Sequence, residues 1–303
     1  MKQKLIIATR GSKLAIRQSE IVRHLLLSQF PGLEVVFLKV TTLGDTDQKT
    51  PLSSFVNTGV FVKGLEEKLL SGEADLAVHS LKDVPSEMHP DLLLAAFPER
   101  EDARDVFVNR ECVHWRMLKQ GSVVGTSSPA RQEQMKLLRH DLVFKDIRGN
   151  VETRVQKVLN GEYDATILAA AGLKRLGYKI ENESWFTFDE MVPSPGQGTL
   201  VIQVHKNNSV AFEMVQKINN VKIEKQVEAE RAFMSLIGGG CRFPVAAHAE
   251  ITENVVIFRG IAFKPGFEKI EKIKINTIEN ELLETAKSEA KKIISKYNTI
   301  KKS

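Results

Sequence analysis

Short apolar runs that end in a hydroxyl-, glycine- or arginine-bearing turn and then a helix start recur along the chain. This alternation constrains the fold more than any other feature. An apolar run of four to eight residues bounded by turn signals reads as a buried strand, and strands alternating with helical periodicity read as an α/β sheet. Leu5-Ile6-Ile7-Ala8 runs into Thr9-Arg10-Gly11-Ser12, then into a helix with Leu14, Gln18, Ile21, Val22 and Leu25 at helical spacing. Further strands are predicted at 35–40, 76–78, 92–97, 123–125, 142–147, 164–169 and 199–204, the last returning to the first α/β block. The tail differs. A helix at 223–237, strands near 245–251, 254–263 and 269–275, and a helix near 278–297 presenting Leu282, Ala286, Ala290 and Ile293 to them predict a small α+β domain.

In open α/β sheets ligands sit beyond the carboxyl ends of the strands. Arg10, Arg131, Arg148, Arg154 and Arg175 all fall at or just past such ends. Ser12, Ser128 and Asn150 are placed to cap the following helices, with Pro129 at a first helical position, so free N–H groups face the same side. Together they predict a basic cleft for several carboxylates or phosphates. Neither GxxxxGK[ST] nor GxGxxG occurs, which argues against a nucleotide. The stretch Asp75-Leu76-Ala77-Val78-His79-Ser80-Leu81-Lys82-Asp83-Val84-Pro85 turns from apolar to polar at one of these ends. Two readings stand: a solvated turn with a surface ion pair, or Asp83 beside Lys82 as an acid/base group. Residues 41–54 read as a mobile loop, Phe61 shares a helical register with Leu65 and Leu69, and 100–105, with five charges in six residues, reads as a linker at a cleft and hinge.

Cys241 follows Gly238-Gly239-Gly240, a loop with little steric cover. That favours a covalent attachment site or nucleophile over an inert thiol, whereas Cys112 has no such context. The two cysteines make no metal spacing, so no metal is expected, and a reducing cytoplasm is the simplest home. The length of 303 residues implies two or three domains. The start MKQKLIIATRGS gives no signal peptide, and no apolar stretch approaches the ~20 residues that span a bilayer. The net charge of +5 is spread and aromatics are few, which points away from nucleic acid and towards acidic small ligands.

These residues resemble the porphobilinogen deaminase (hydroxymethylbilane synthase) family over nearly the whole chain. The resemblance rests on Thr9-Arg10-Gly11-Ser12, His79 to Pro85, Arg100-Glu101-Asp102 with Arg104-Asp105, Gly125-Thr126-Ser127-Ser128, Arg148-Gly149-Asn150 with Arg154, Gly196-Gln197-Gly198, Glu230-Arg231, and Gly239-Gly240-Cys241 with Pro244. It implies two α/β domains like those of periplasmic binding proteins, 1–98 with 194–216 and 99–193, and an α+β domain, 217–303, carrying the cysteine. It implies a dipyrromethane cofactor on Cys241 through a thioether, with Lys82, Asp83, Arg104, Ser128, Arg131, Arg148 and Gly149 around it. Porphobilinogen and the growing chain would be bound by Arg10, Ser12, Phe61, Arg148, Arg154, Arg175 and Gln197, with Asp83 catalytic. A cytoplasmic monomer without nucleic-acid or membrane partners is expected. The sequence departs from the family pattern at Thr58, where a lysine is usual. At Ser127-Ser128-Pro129-Ala130-Arg131-Gln132 one of two arginines is missing, and Gln203 stands where a glutamate is usual. Two other readings compete: a clamshell binding protein for an organic anion, and a cysteine hydrolase using Cys241 with His248 as base.

Overall fold

The structure, a computed structural model, describes residues 4–42, 61–181, 184–238, 244–253, 255–263 and 270–300. Its strands form three sheets, each with its own core. The first has the order β2-β1-β3-β9-β4, from β1 (Lys4–Arg10), β2 (Glu34–Val40), β3 (Leu76–Ser80), β4 (Leu92–Ala96) and β9 (Leu200–His205). β1 is parallel to β2 and β3, while β9 runs antiparallel between β3 and β4. Alternation along β1 sends Leu5 and Ile7 to one face, against Val22 and Leu26 of α1 (Lys13–Gln29). Ala8 goes to the other, against Leu65 and Leu69 of α2 (Lys63–Leu70).

The second sheet has the order β5-β8-β6-β7, from β5 (Asp105–Asn109), β6 (Val123–Gly125), β7 (Val143–Lys145) and β8 (Ala165–Ala169), with β5 antiparallel to β8. Its helices are α3 (Pro129–Leu138), α4 (Val151–Leu159) and α5 (Ala170–Arg175). β9 then returns to the first sheet and is followed by α6 (Ser209–Gln216). The third sheet is antiparallel, β10 (Val245–Ile251), β11 (Val256–Phe263) and β12 (Ile270–Thr277), packed on α7 (Val221–Ile237) and α8 (Leu282–Ile300). Leu282, Ala286, Ala290 and Ile293 face it as their spacing predicts.

Two α/β sheets joined by two crossovers, with a small antiparallel domain behind, is the expected fold class. The crossovers run antiparallel: Arg100 pairs with Thr199, Glu101 N–H donates to Gly198 O (3.0 Å) and Leu200 N–H to Glu99 O (2.9 Å). The 100–105 linker is therefore not a solvated charge run. Arg100 and Asp105 are buried because each has an opposite charge against it, and Asp105 opens a strand the sequence did not suggest. Helix α6 was likewise not foreseen, and Phe61 precedes α2 rather than forming its first turn. No helix among the described residues is long and apolar enough to cross a membrane.

Candidate active site

Strand β3 is buried to His79 and then breaks into a one-turn 3₁₀ helix, Leu81–Asp83. Leu81 is the anchor of that turn. It is wholly buried, its N–H donates to Thr199 O (3.0 Å), and Val84 N–H donates back to Leu81 O (3.0 Å). Gly196 presses on it from the second crossover. Its φ is +75°, and a Cβ there would stand 2.8 Å from the Leu81 side chain, so the close approach requires glycine. With Leu81 pinned inward, Lys82 and Asp83 line a cavity of about 380 Å³ between the two α/β sheets.

The other walls are strand ends and helix starts. Arg10 ends β1 and lies over the Phe61 ring, 4.2 Å from its centroid. Ser12 caps α1, its Oγ accepting from Ala15 N–H (3.3 Å). Ser128 caps α3. Asn150 caps α4 by accepting from Thr153 N–H (2.8 Å). Arg148, Gly149 and Arg154 come from the same β7–α4 junction, and Arg154 Nε donates to Gly149 O (2.8 Å). Gln18 also faces the cavity, its amide donating to Ser80 Oγ (2.7 Å). The sequence placed it on a helical stripe of apolar residues, where a polar side chain was the one sign of its role.

The cations are crowded. Lys82 keeps accessible surface on the cavity, and its ammonium sits among other cations. Lost hydration pushes its pKa down to about 8; Arg131 and Arg154 add repulsion, while Asp83 and Asp105 pull the other way. Burial also pushes Arg154 down to about 10, with Arg131 and Arg148 repelling it and Asp83 supporting its charge.

Not every expected binder faces the cavity in the same way. Arg131 touches it but is spent behind it. The guanidinium binds Asp105 through two hydrogen bonds (2.8 and 3.0 Å) and donates to Ile167 O (3.0 Å) and Gln197 Oε1 (3.3 Å). Gln197 is wholly buried. It accepts from Lys82 Nζ (3.2 Å) and donates to Asp105 Oδ1 and Ala103 O, so it supports the lining without being part of it. Arg175 lines the cavity but also pairs with Glu99 (3.0 Å) and donates to Gly198 O (2.8 Å). Arg104 is outside the lining, because Asp102 and the Trp185 face hold it elsewhere. Ala130 is buried at the start of α3 and absent from the lining. Cys241, Thr58 and 43–60 lie outside the described residues. His248, the base a cysteine hydrolase would need, is buried, stacked on Phe188 at 4.0 Å and faced by Arg100 and Glu230. Among the described residues no cluster could hold a metal ion.

Comparison with known proteins agrees with this geometry. The family model for the porphobilinogen deaminase dipyrromethane cofactor binding domain matches residues 5–213, and that for the porphobilinogen deaminase C-terminal domain matches 225–295. The chain is 42% identical over 261 residues to a porphobilinogen deaminase of Roseiflexus sp. (strain RS-1), covering 86% of each chain. It is 42% identical over 271 residues to one of Sulfurimonas denitrificans, covering 88% of this chain and 86% of that one.

Proposed function

The chain belongs to the porphobilinogen deaminase family, and from that premise we propose which of its residues carry the reaction. The enzyme is a transferase of tetrapyrrole biosynthesis. It joins four porphobilinogen molecules head to tail onto a dipyrromethane primer, expels ammonia at each addition, and releases hydroxymethylbilane by hydrolysis. The dipyrromethane, when attached, supplies the pyrrole carbon from which the chain grows. The donor set fits it: each pyrrole carries two carboxylates, and Arg10, Lys82, Arg148 and Arg154, with three capped helix starts, make the cavity strongly electropositive.

The observation that carries the assignment is Asp83 facing this cavity among those cations, on a turn fixed at Leu81. Asp83 is the acid/base. Its carboxylate guides the protonated amine as the C–N bond breaks and the electron pair leaves with ammonia. It then faces the azafulvenium cation left on the substrate and takes up the α-proton released once a ring α-carbon has bonded to that cation's methylene. Lys82, Arg10, Ser12, Arg148, Arg154 and Arg175 hold acetate and propionate groups, with Ser128 and Gly149 beside the primer and Phe61 against a ring. Arg131 and Gln197 act from behind, by fixing Lys82. Cys241 carries the primer. The division into 1–98 with 194–216, 99–193 and 217–303, a monomeric cytoplasmic enzyme, and the absence of nucleic-acid partners belong to the same reading.

The test pairs Asp83→Asn with Asp83→Glu. Asn should lower the rate by about 10²–10⁴, as for a positioned acid/base group, and Glu should retain more. Intact mass should show two pyrrole units on the parent and none on Cys241→Ser. Asn outperforming Glu, or a fully active Cys241→Ser protein, contradicts the assignment.

A further inference from the structure

Helix α7 meets the Asp83 turn along one stripe. Ile223 and Val227 pack into the small core formed by Leu81 and Val84. Arg231, one turn beyond Val227 on the same face, ends the stripe with a polar grip. Its Nη1 donates to Val84 O at 3.0 Å and its Nη2 to Pro85 O at 2.9 Å. These are the two carbonyls directly after Asp83 in sequence. We propose that Arg231 is a positioning residue for the reaction: it holds the peptide that follows Asp83 and so fixes where that carboxylate stands relative to the helix leading towards Cys241.

Two physical points support this. First, among the described residues Arg231 has no carboxylate partner, and burial lowers its pKa. A largely buried guanidinium facing only neutral carbonyls is a poor stability device, since an apolar side chain would fill the place at less desolvation cost. The fork geometry is the gain: two rigid donors set two consecutive carbonyls at once, which an ammonium cannot do. Second, α7 is a spacer. Arg231 lies seven residues before Gly238, the left-handed cap that ends the helix, so the grip and the helix end are separated by about 10 Å along the axis at ~1.5 Å per residue. The element from which the chain continues to the primer's cysteine is thereby tied to the turn that carries the acid/base. A displacement of about 1 Å at such a group can lower a rate by 10²-fold.

This inference rests on Asp83 being the acid/base, and its test separates the two. In the holoenzyme, Arg231→Met keeps the stem and removes the fork, and Arg231→Lys keeps a charged donor without the planar fork. The expected result for Arg231→Met is a kcat lower by roughly 10–100-fold with KM within about twofold, the primer still present by intact mass, and Arg231→Lys in between. In an Asp83→Asn background Arg231→Met should add little further loss, because the grip acts through that carboxylate. Independent, multiplicative losses in the double variant, or an unchanged kcat in Arg231→Met, overturn the proposal. If Asp83→Asn itself keeps the parent rate, the acid/base assignment fails and the grip loses its object. Should Arg231→Met not fold, Arg231→Lys alone decides by the same kcat-against-KM split and the same double variant.

Discussion

His79 directly follows the apolar run Leu76–Val78 of β3, and its surroundings explain why a glutamine sits at 203. His79 Nε2–H donates to Gln203 Oε1 at 3.1 Å, and Gln203 Nε2 donates in turn to Glu66 Oε1 at 2.9 Å. A glutamate at 203 would set two carboxylates against each other, whereas an amide serves both neighbours. Burial pushes the His79 pKa down to about 4, with the nearby Arg10 charge adding to it and the Gln203 bond opposing it. The sign follows. In the unfolded chain a histidine takes a proton near pH 6.5, and in the fold His79 does not until about pH 4. Between those values the unfolded state binds the extra proton, so stability falls as pH falls through that window, by roughly 3 kcal/mol in all from this group. Urea unfolding at pH 7 and at pH 4.5 should show a clearly smaller loss in His79→Gln than in the parent; equal losses would show that other groups set the slope. At this scale the sequence is informative about placement that follows from a strand end: Asp83, Lys82, Arg10 and Arg154 all line the cavity. It is uninformative where the role is decided by a partner far along the chain. Arg131 lines the cavity, but Asp105, which holds its guanidinium from 26 residues away, is not legible from the local sequence.

Among the elements, the start of α4 is the most demanding. Gly149 has φ +107°, and a Cβ there would lie 2.5 Å from Thr153 Cγ2. Thr153 cannot simply move, because both its N–H and its hydroxyl donate to Asn150 Oδ1 at 2.8 Å to cap the helix. Arg154, next in sequence, draws its orientation from Gly149 O. Gly149→Ala should therefore loosen cap and guanidinium together. A stability loss of about 1–3 kcal/mol, the usual cost of a strained backbone position, should accompany a lower rate. Thermal unfolding and a porphobilinogen consumption assay check it; a variant with parent-like values in both would mean the turn relaxes at no cost. Helix starts of this kind were readable in advance because capping chemistry is local: Ser12, Ser128 and Asn150 all cap as their types predict. Strand β5 was not readable. It has three apolar residues between Asp105 and Asn109, and both polar ends are buried only because Arg131 and the 113 backbone satisfy them. Helix α6 has eight residues, too few for a clear period.

At the scale of the whole molecule, one carboxylate joins both crossovers to the third sheet. Glu230 of α7 has no accessible surface. Its Oε2 accepts from Gly196 N–H of the second crossover at 2.7 Å. Its Oε1 accepts from Arg100 of the first crossover at 2.8 Å and from Ala249 N–H of β10 at 2.8 Å, with His248 Nδ1 at 3.5 Å. The motif Glu230-Arg231 is visible in sequence, but its partners lie from 34 to 147 residues upstream or on β10, so its meaning appears only once the chain is folded. Burial alone would raise the Glu230 pKa; the Arg100 charge, His248 and the Ala249 N–H outweigh it, and the carboxyl is held below its usual range. A carboxylate of this kind contributes stability above its unfolded pKa, and that contribution is lost as pH falls through the folded one. Glu230→Gln removes the charge that compensates Arg100 and turns an amide NH₂ towards backbone N–H groups. Breaking one side of a buried pair costs about 3–5 kcal/mol. The expected outcome is an unfolding free energy in urea lowered by that order at pH 7, with early hydrogen exchange at both crossovers and β10. The gap between parent and variant should narrow at acid pH, as the parent's own carboxylate is protonated. A gap that stays constant from pH 7 down to acid would show that Glu230 is held by shape rather than by charge, and that the hinge owes its rigidity to the crossover ladder of Arg100 and Thr199 instead.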